Sequence, residues 1–136
     1  MQDYEPENIC TNTLLAKQVA RIVYAETLAT SLRVVEALTS MINNLCYKTN
    51  RCIESIISDE NIFESLNNTS ARHEYLTPDE NSKKFHMCLR VAIRMLRGNL
   101  QDMCWGATNF HREEFLPSWA VARGYILSVD GLSFYL

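Results

Sequence analysis

The fold is decided near the start of the chain by residues 14–28, which read LLAKQVARIVYAETL. Apolar residues recur there every three or four positions, as on one face of an α-helix, at Leu15, Val19 and Ile22. The next position on the same face is occupied by Glu26. A carboxylate that points inward must find a cation or hydrogen-bond donors, or keep its proton. Glu26 is therefore the residue that needs an explanation.

Two explanations of Glu26 follow from its position. An inward glutamate that keeps its proton can act as a general acid. Alternatively, Glu26 lies at the rim of the core, where its head reaches solvent or pairs with Arg21 or Arg33. The first explanation predicts a reactive site at the end of the helix, and the second predicts a structural residue only.

Length and composition indicate one helix-rich globular domain. The chain has 136 residues, of which 47% are hydrophobic and 21% charged, with four glycines and three prolines. We predict a flexible extension over residues 1–13 and a single domain over 14–136. The net charge of -3 offers no basic surface for nucleic acid, and no apolar run is long enough to span a membrane. The polar, acidic start predicts no signal peptide.

The middle of the chain predicts further helices. One runs from about Ser31 to Tyr47, with Thr30 or Ser31 as its cap, and a shorter one covers residues 52–57. Residues 59–77 read as a polar loop. The sequence Thr77-Pro78-Asp79-Glu80 has the form of a capping box and predicts the start of another helix, which ends at Gly98.

The last third of the chain predicts a small antiparallel sheet. Residues 124–129 and 132–136 read as two strands joined by the tight turn Asp130-Gly131. Helices followed by such a sheet define an α+β fold.

The cysteines and histidines predict no metal and no other cofactor. Five cysteines occur without any Cys-x-x-Cys pair, and the three histidines lack a metal-binding spacing. Cys46 and Cys52 are close enough in sequence to form a bridge in an oxidising compartment, and the sequence leaves that bridge open.

Three blocks of sequence carry a family resemblance. They are ARIVYAE at 20–26, WGATNFH at 105–111, and PSWA at 117–120 followed by Phe134-Tyr135. In this order and spacing they resemble the SleB-type cell wall hydrolases, the family of the spore-cortex-lytic enzymes, over roughly residues 15–136. The resemblance implies a lysozyme-like α+β fold that cleaves peptidoglycan glycan strands between N-acetylmuramic acid and N-acetylglucosamine. It also implies that Glu26, in the Tyr-Ala-Glu block, is the catalytic acid.

The chain departs from this family directly after Glu26. Relatives usually have Gly-Glu there, whereas this chain has Leu28-Ala29-Thr30-Ser31. Relatives also often carry histidine where Asn109 and Leu132 stand. Without the glycines, we expect the loop over the cleft to have a different shape.

Six residues are candidates for binding the glycan, because sugars stack on aromatic faces and hydrogen-bond through their hydroxyls. They are Phe63, Thr108, Phe110, His111, Trp119 and Tyr135. Residues 107–111 alternate like a strand, which places His111 on one face and Thr108 and Phe110 on the other. Not all six can therefore line one groove.

No second carboxylate stands out as a partner of Glu26. Asp59, Glu60 and Glu64 lie in the predicted loop, and Glu54 lies on a helix of unknown orientation. Hydrolysis of a glycoside uses two carboxylates, whereas attack by the C6 hydroxyl of the muramic sugar needs one. We therefore predict a lytic transglycosylase.

The alternatives are a hydrolytic muramidase and a non-catalytic peptidoglycan-binding module with a lysozyme-like groove. The substrate predicts a periplasmic, cell wall or extracellular location.

Overall fold

The computed structural model describes residues 6–136, without the side chains of residues 6–12 and Arg123. Helix α1 covers Pro6–Thr27, so it begins before the predicted start at Leu14. Proline suits the first turn of a helix, where no N–H is needed. Residues 6–13 of the predicted extension are thus helical, and the rest of that extension lies outside the described residues.

The break between α1 and the next helix is made by two residues in the left-handed conformation, Leu28 at φ 55° and Ala29 at φ 50°. Both lie within residues 28–31, where the family resemblance leads one to expect Gly-Glu. The Thr27 hydroxyl accepts a hydrogen bond from the Ala29 N–H at 3.0 Å and fixes the turn. Helix α2 then covers Leu32–Thr49, and Ser31 is its cap, as predicted.

Two further helices follow, α3 over Ile53–Ile57 and α4 over Lys83–Leu96. The predicted polar loop between them contains the short 3₁₀ helices Glu64–Leu66 and His73–Leu76. Helix α4 ends as predicted, with Gly98 at φ 76°.

The predicted start of α4 at the Thr77 capping box is wrong. The Thr77 hydroxyl donates back to the carbonyl of Glu74 at 3.2 Å instead of capping a following turn. Glu80 extends toward α1, where it pairs with Arg21 at 2.6 Å. Ser82 caps α4 instead, since its hydroxyl accepts from the Phe85 N–H at 3.1 Å. The Glu80 side chain is thus used in an ion pair with Arg21, and the helix begins at the later cap, Ser82.

The predicted α+β class is confirmed, with three strands in the sheet. They are β1 (Asn109–Arg112), β2 (Tyr125–Val129) and β3 (Leu132–Tyr135), in the order β1-β3-β2 and antiparallel throughout. The predicted hairpin joins β2 to β3, and Asp130 and Gly131 both have positive φ in its turn.

Helices and sheet share one apolar core. Helix α1 packs chiefly on α4, and α2 packs on both. Side chains of the sheet that enter this core include Val129, Leu132 and Phe134. Within residues 6–136, none of the helices combines the length and the apolar character that crossing a membrane requires.

Candidate active site

Glu26 lies on the inward face of α1, as its periodicity predicted, and only 1% of its surface is exposed. It does not reach solvent, and its partner is neither Arg21 nor Arg33. Its Oε1 forms an ion pair with Nη2 of Arg112, a residue of β1 whose side chain is 11% exposed. Its Oε2 accepts a hydrogen bond from the backbone N–H of Ser65 at 3.0 Å. Both carboxylate oxygens are therefore engaged.

Arg112 uses every nitrogen of its guanidinium to join three segments of the chain. Besides the ion pair, Nη1 donates to the backbone carbonyl of Glu26 at 2.7 Å. Nε donates to Oε1 of Glu64, in the loop after α3, at 3.0 Å. One guanidinium thus bridges a buried carboxylate and a half-exposed one, since the Glu64 side chain is 55% exposed.

The sheet explains why Arg112 points toward α1. Side chains alternate along a strand, so Arg112 lies on the same face of β1 as Phe110. Phe110 is paired with Phe134 across the strands, with ring centroids 6.3 Å apart, and also contacts the buried Phe63 at 6.0 Å. This face is turned toward the core, where a charged guanidinium needs partners, and the carboxylate and backbone carbonyl of Glu26 supply them.

Glu64 is held as a carboxylate by its surroundings. Burial alone would raise its pKa, but hydrogen bonds from Ser70, at 2.9 Å, and from Arg112 outweigh that effect. The positive charges of Arg112 and Arg72 act in the same direction, and the pKa of Glu64 is lowered.

A second arginine completes the charged cluster. Arg72 donates from Nη1 to the carbonyl of Ala25 at 3.2 Å. Burial, and then the charge of Arg112, lower the pKa of Arg72, while Glu26, Glu64 and Glu114 oppose this effect. The cluster therefore contains three carboxylates and two guanidinium groups.

Two adjoining cavities form a groove over this cluster, each of about 270 Å³. The first is lined by Glu26, Glu64, Arg112 and aromatic side chains, and the second extends toward Arg51 and Thr108. They adjoin because they share four residues, Asn61, Ile62, Phe110 and Trp119. Ligand pockets have volumes of roughly 300–1,000 Å³. Together the two adjoining cavities offer a volume within that range, lined from Glu26 in the first to Thr108 in the second.

The structure brings four of the six candidate binding residues to the groove. Phe110 and Trp119 line both cavities, His111 lines the first and Thr108 the second. Trp119 is partly exposed and offers an aromatic face. The hydroxyl of Thr108 accepts from Nζ of Lys48 at 3.3 Å.

The other two candidates support the groove from behind. Phe63 is fully buried and packs on Phe110, so it presents no surface to a ligand. It lies there because the loop needs an apolar anchor in the core. Tyr135 is almost buried, and its hydroxyl lies 3.1 Å from Nε2 of His111. It positions His111 and also contacts the ring of Trp119 edge to face.

Arg112 is the site residue that the sequence-based selection missed. The alternation that placed Phe110 on the inward face also places residue 112 there, one step beyond the segment considered. An arginine at an inward strand position indicates a buried carboxylate partner, and Glu26 is the inward carboxylate of α1. The two signals together could have identified the pair.

The described cysteines do not line the groove. Cys46 and Cys52 are both free thiols, so the bridge that their spacing permits is not formed. Among the side chains that the structure describes, no group of three His, Cys, Asp or Glu is placed to hold a metal ion.

Comparisons with known protein families, with curated proteins and with solved structures find no match for this chain. Fold and site together define a mixed helix and sheet protein with a groove over a buried glutamate. The chemistry available there is proton transfer by Glu26, charge stabilisation by a nearby carboxylate, and contact with aromatic side chains.

Proposed function

We propose that this protein cleaves the glycan strands of peptidoglycan between N-acetylmuramic acid and N-acetylglucosamine, and that its fold is lysozyme-like. The observation that carries the proposal is the position of Glu26, a buried carboxyl group that lines a groove with an aromatic wall. A carboxyl group in such a place can hold a proton and deliver it to a glycosidic oxygen.

Proton transfer by Glu26 requires its ion pair with Arg112 to weaken when Glu26 is protonated and to form again afterwards. A protonated Glu26 no longer attracts the guanidinium as a carboxylate does. When Glu26 is protonated, Arg112 keeps a second anionic partner, because its Nε remains bonded to Glu64. After the transfer, Glu26 becomes a carboxylate again and the ion pair stabilises it. The two-carboxylate arrangement therefore lets Glu26 gain and lose a proton while Arg112 stays in place.

The shape of the groove supports a polysaccharide substrate. A glycan strand is extended, and the two adjoining cavities offer Trp119 and Phe110 along their shared boundary. Sugar rings present apolar faces that pack on aromatic side chains, and Thr108 and Asn109 supply polar groups in the second cavity. From a substrate of this kind we propose a periplasmic, cell wall or extracellular location.

The test is digestion of purified peptidoglycan by the wild type and by Glu26→Gln, with soluble muropeptides measured by mass spectrometry. Loss of a general acid lowers the rate by a factor of about 10²–10⁴. Glu80→Gln is the matched control, because it neutralises another ion-paired carboxylate that contacts α1, outside the groove. The control is expected to keep the wild-type rate. Release by Glu26→Gln at a tenth of the wild-type rate or more contradicts the proposal.

One observation favours a second candidate, a non-catalytic peptidoglycan-binding module. Both oxygens of Glu26 are already engaged by Arg112 and by the Ser65 N–H, as in a structural ion pair. Such a module is pulled down by insoluble peptidoglycan in a saturable manner and releases no fragments. Its binding weakens on replacement of Trp119 by alanine and is unchanged in Glu26→Gln.

A further inference from the structure

Glu64 differs from the other carboxylates considered as partners of Glu26 in where its side chain lies. Glu54 lines a separate pocket beside Gln18 and Leu76. Asp59 lies in the second cavity, where it is paired with Arg51 at 3.1 Å. Glu60 is exposed and is absent from the lining of both cavities of the groove. Only Glu64 among these four lies in the same cavity as Glu26.

We infer that Glu64 is the second catalytic carboxylate and that the reaction is hydrolysis with retention of configuration at the anomeric carbon. This inference rests on the proposed function and names the route by which the same site cleaves its substrate. It replaces the transglycosylation that the sequence alone favoured, because that preference depended on the lack of a second acid within reach.

Two observations suit Glu64 to the nucleophile's role. It is close to Glu26, because one guanidinium contacts both carboxylates. Retaining enzymes have the two groups about 5–5.5 Å apart, whereas inverting enzymes leave room for a water between them. Its side chain is half exposed, so that it can reach a sugar ring in the groove, while Glu26 is buried.

The environment also divides the two roles. Ser70 and Arg112 hold Glu64 with hydrogen bonds to both of its oxygens, an arrangement that favours the ionised form, and the lowered pKa agrees with it. A nucleophile must be ionised before the reaction, whereas the acid must carry a proton. Glu26 also accepts at both oxygens, from Arg112 and from the Ser65 N–H, so exposure is what separates the two carboxylates. Glu64 is half exposed and reaches the groove as the nucleophile, and Glu26 is buried behind it as the acid.

The reaction then proceeds in two steps. In the first, Glu26 gives its proton to the glycosidic oxygen, the bond from that oxygen to C1 breaks, and an oxygen of Glu64 forms an ester with C1. In the second, Glu26 takes a proton from water, the water oxygen bonds to C1, and the ester breaks to release Glu64. Water is the only co-reactant, and the product has a reducing muramic end.

This route makes the C6 hydroxyl of the muramic sugar unnecessary. Transglycosylation forms a bond from that hydroxyl to C1, so a group that blocks it stops the reaction. Hydrolysis through Glu64 does not use it. The chemistry of this route is therefore compatible with peptidoglycan whose muramic residues are O-acetylated at C6.

The experiment is digestion of peptidoglycan by the wild type in water enriched in ¹⁸O, with mass spectrometry of the fragments and NMR of the newly formed anomer. The expected fragments have reducing muramic ends that carry one ¹⁸O at C1 and the retained β configuration. Fragments with 1,6-anhydro ends overturn the inference and leave the proposed function standing. An inverted anomer also overturns it. A wild type that releases no fragments overturns the proposed function and this inference together.

Variants then assign the role to the residue. Glu64→Gln is expected to lower the rate at least 100-fold, while Glu60→Gln, in the same loop but outside the groove, keeps the wild-type rate. Release by Glu64→Gln at a tenth of the wild-type rate or more overturns the assignment. If Glu64→Gln does not fold, the wild-type product analysis still decides between the two routes.

Discussion

Among the described side chains of helix α1, two make carboxylate–guanidinium contacts with distant parts of the chain, and their surroundings are very different. Arg21 pairs with Glu80 at 2.6 Å, and both side chains remain more than a third exposed, at 34% and 39%. Glu26 pairs with Arg112 where the side chains are 1% and 11% exposed. Water solvates the charges of the first pair whether or not they meet, but it cannot solvate those of the second. Burial, more than distance, decides which contact the fold depends on.

The largest effect is expected from Arg112→Met, which removes the cation from the buried pair. It leaves the buried carboxylate of Glu26 without its ion-pair partner, at a cost of about 3–5 kcal/mol in the free energy of unfolding. Urea denaturation measures this loss. Arg21→Met removes the cation of the exposed pair and should cost much less. Equal losses in the two variants would show that burial does not distinguish the contacts.

A double replacement sharpens the comparison further. Glu26→Met combined with Arg112→Met removes both buried charges, so the stability recovers relative to Arg112→Met alone. We expect a coupling free energy of about 1–3 kcal/mol from a double-mutant cycle in urea. The same cycle on Arg21 and Glu80 is expected to give a much weaker coupling. Additive effects at Glu26 and Arg112 would contradict the ion pair.

The third prediction concerns pH and Glu64. Its pKa is lower in the folded protein than in the unfolded chain, so its contribution is complete above the unfolded value of about 4.3 and is lost as the pH falls through the folded value. Because Glu64 is half exposed, the contribution is below about 1 kcal/mol. The difference in stability between wild type and Glu64→Gln should be complete at pH 7 and should shrink as the pH falls below the unfolded value of about 4.3. If the difference in stability grows as the pH falls, ionised Glu64 does not stabilise the folded protein in the way described.

The smallest effect is expected in the turn that follows Glu26. Ala29 has φ 50°, where a Cβ atom costs about 1–2 kcal/mol and glycine is free of strain. Ala29→Gly also loses a buried methyl group and gains unfolded-state entropy, so the net change should be within about 0.5 kcal/mol of zero. Ala37→Gly, at a buried position inside α2, removes no backbone strain. It should therefore lower the free energy of unfolding by about 1 kcal/mol more than Ala29→Gly does. Thermal unfolding measures both variants.

Sequence predicted those features that depend on neighbouring residues. The inward position of Glu26 follows from helical periodicity, the cap at Ser31 from side-chain chemistry, and the hairpin from Asp130-Gly131. The Thr77 capping box failed although its local pattern is good, because Glu80 is drawn to Arg21 on another helix. A rule that uses only neighbouring residues cannot include an ion pair with a residue 59 positions away.

The site shows the same division. Periodicity located Glu26, and strand alternation placed Phe110 and His111 on opposite faces. The groove itself depends on contacts between α1, the loop at Glu64 and β1, which no local pattern encodes. Phe63 illustrates the ambiguity, because an aromatic anchor in a loop is compatible with a ligand surface and with the core position that it occupies.

The bridge made by Arg112 has a consequence for the order of folding. Its contact with Glu26 spans 86 residues, and its contact with Glu64 spans 48. During synthesis, helices α1, α2 and α4 are made before β1. Glu26 therefore lacks its partner Arg112 at that stage. Contacts of such long range form late because closing the intervening chain costs entropy. We therefore expect the groove to be assembled only when the sheet docks on the helices.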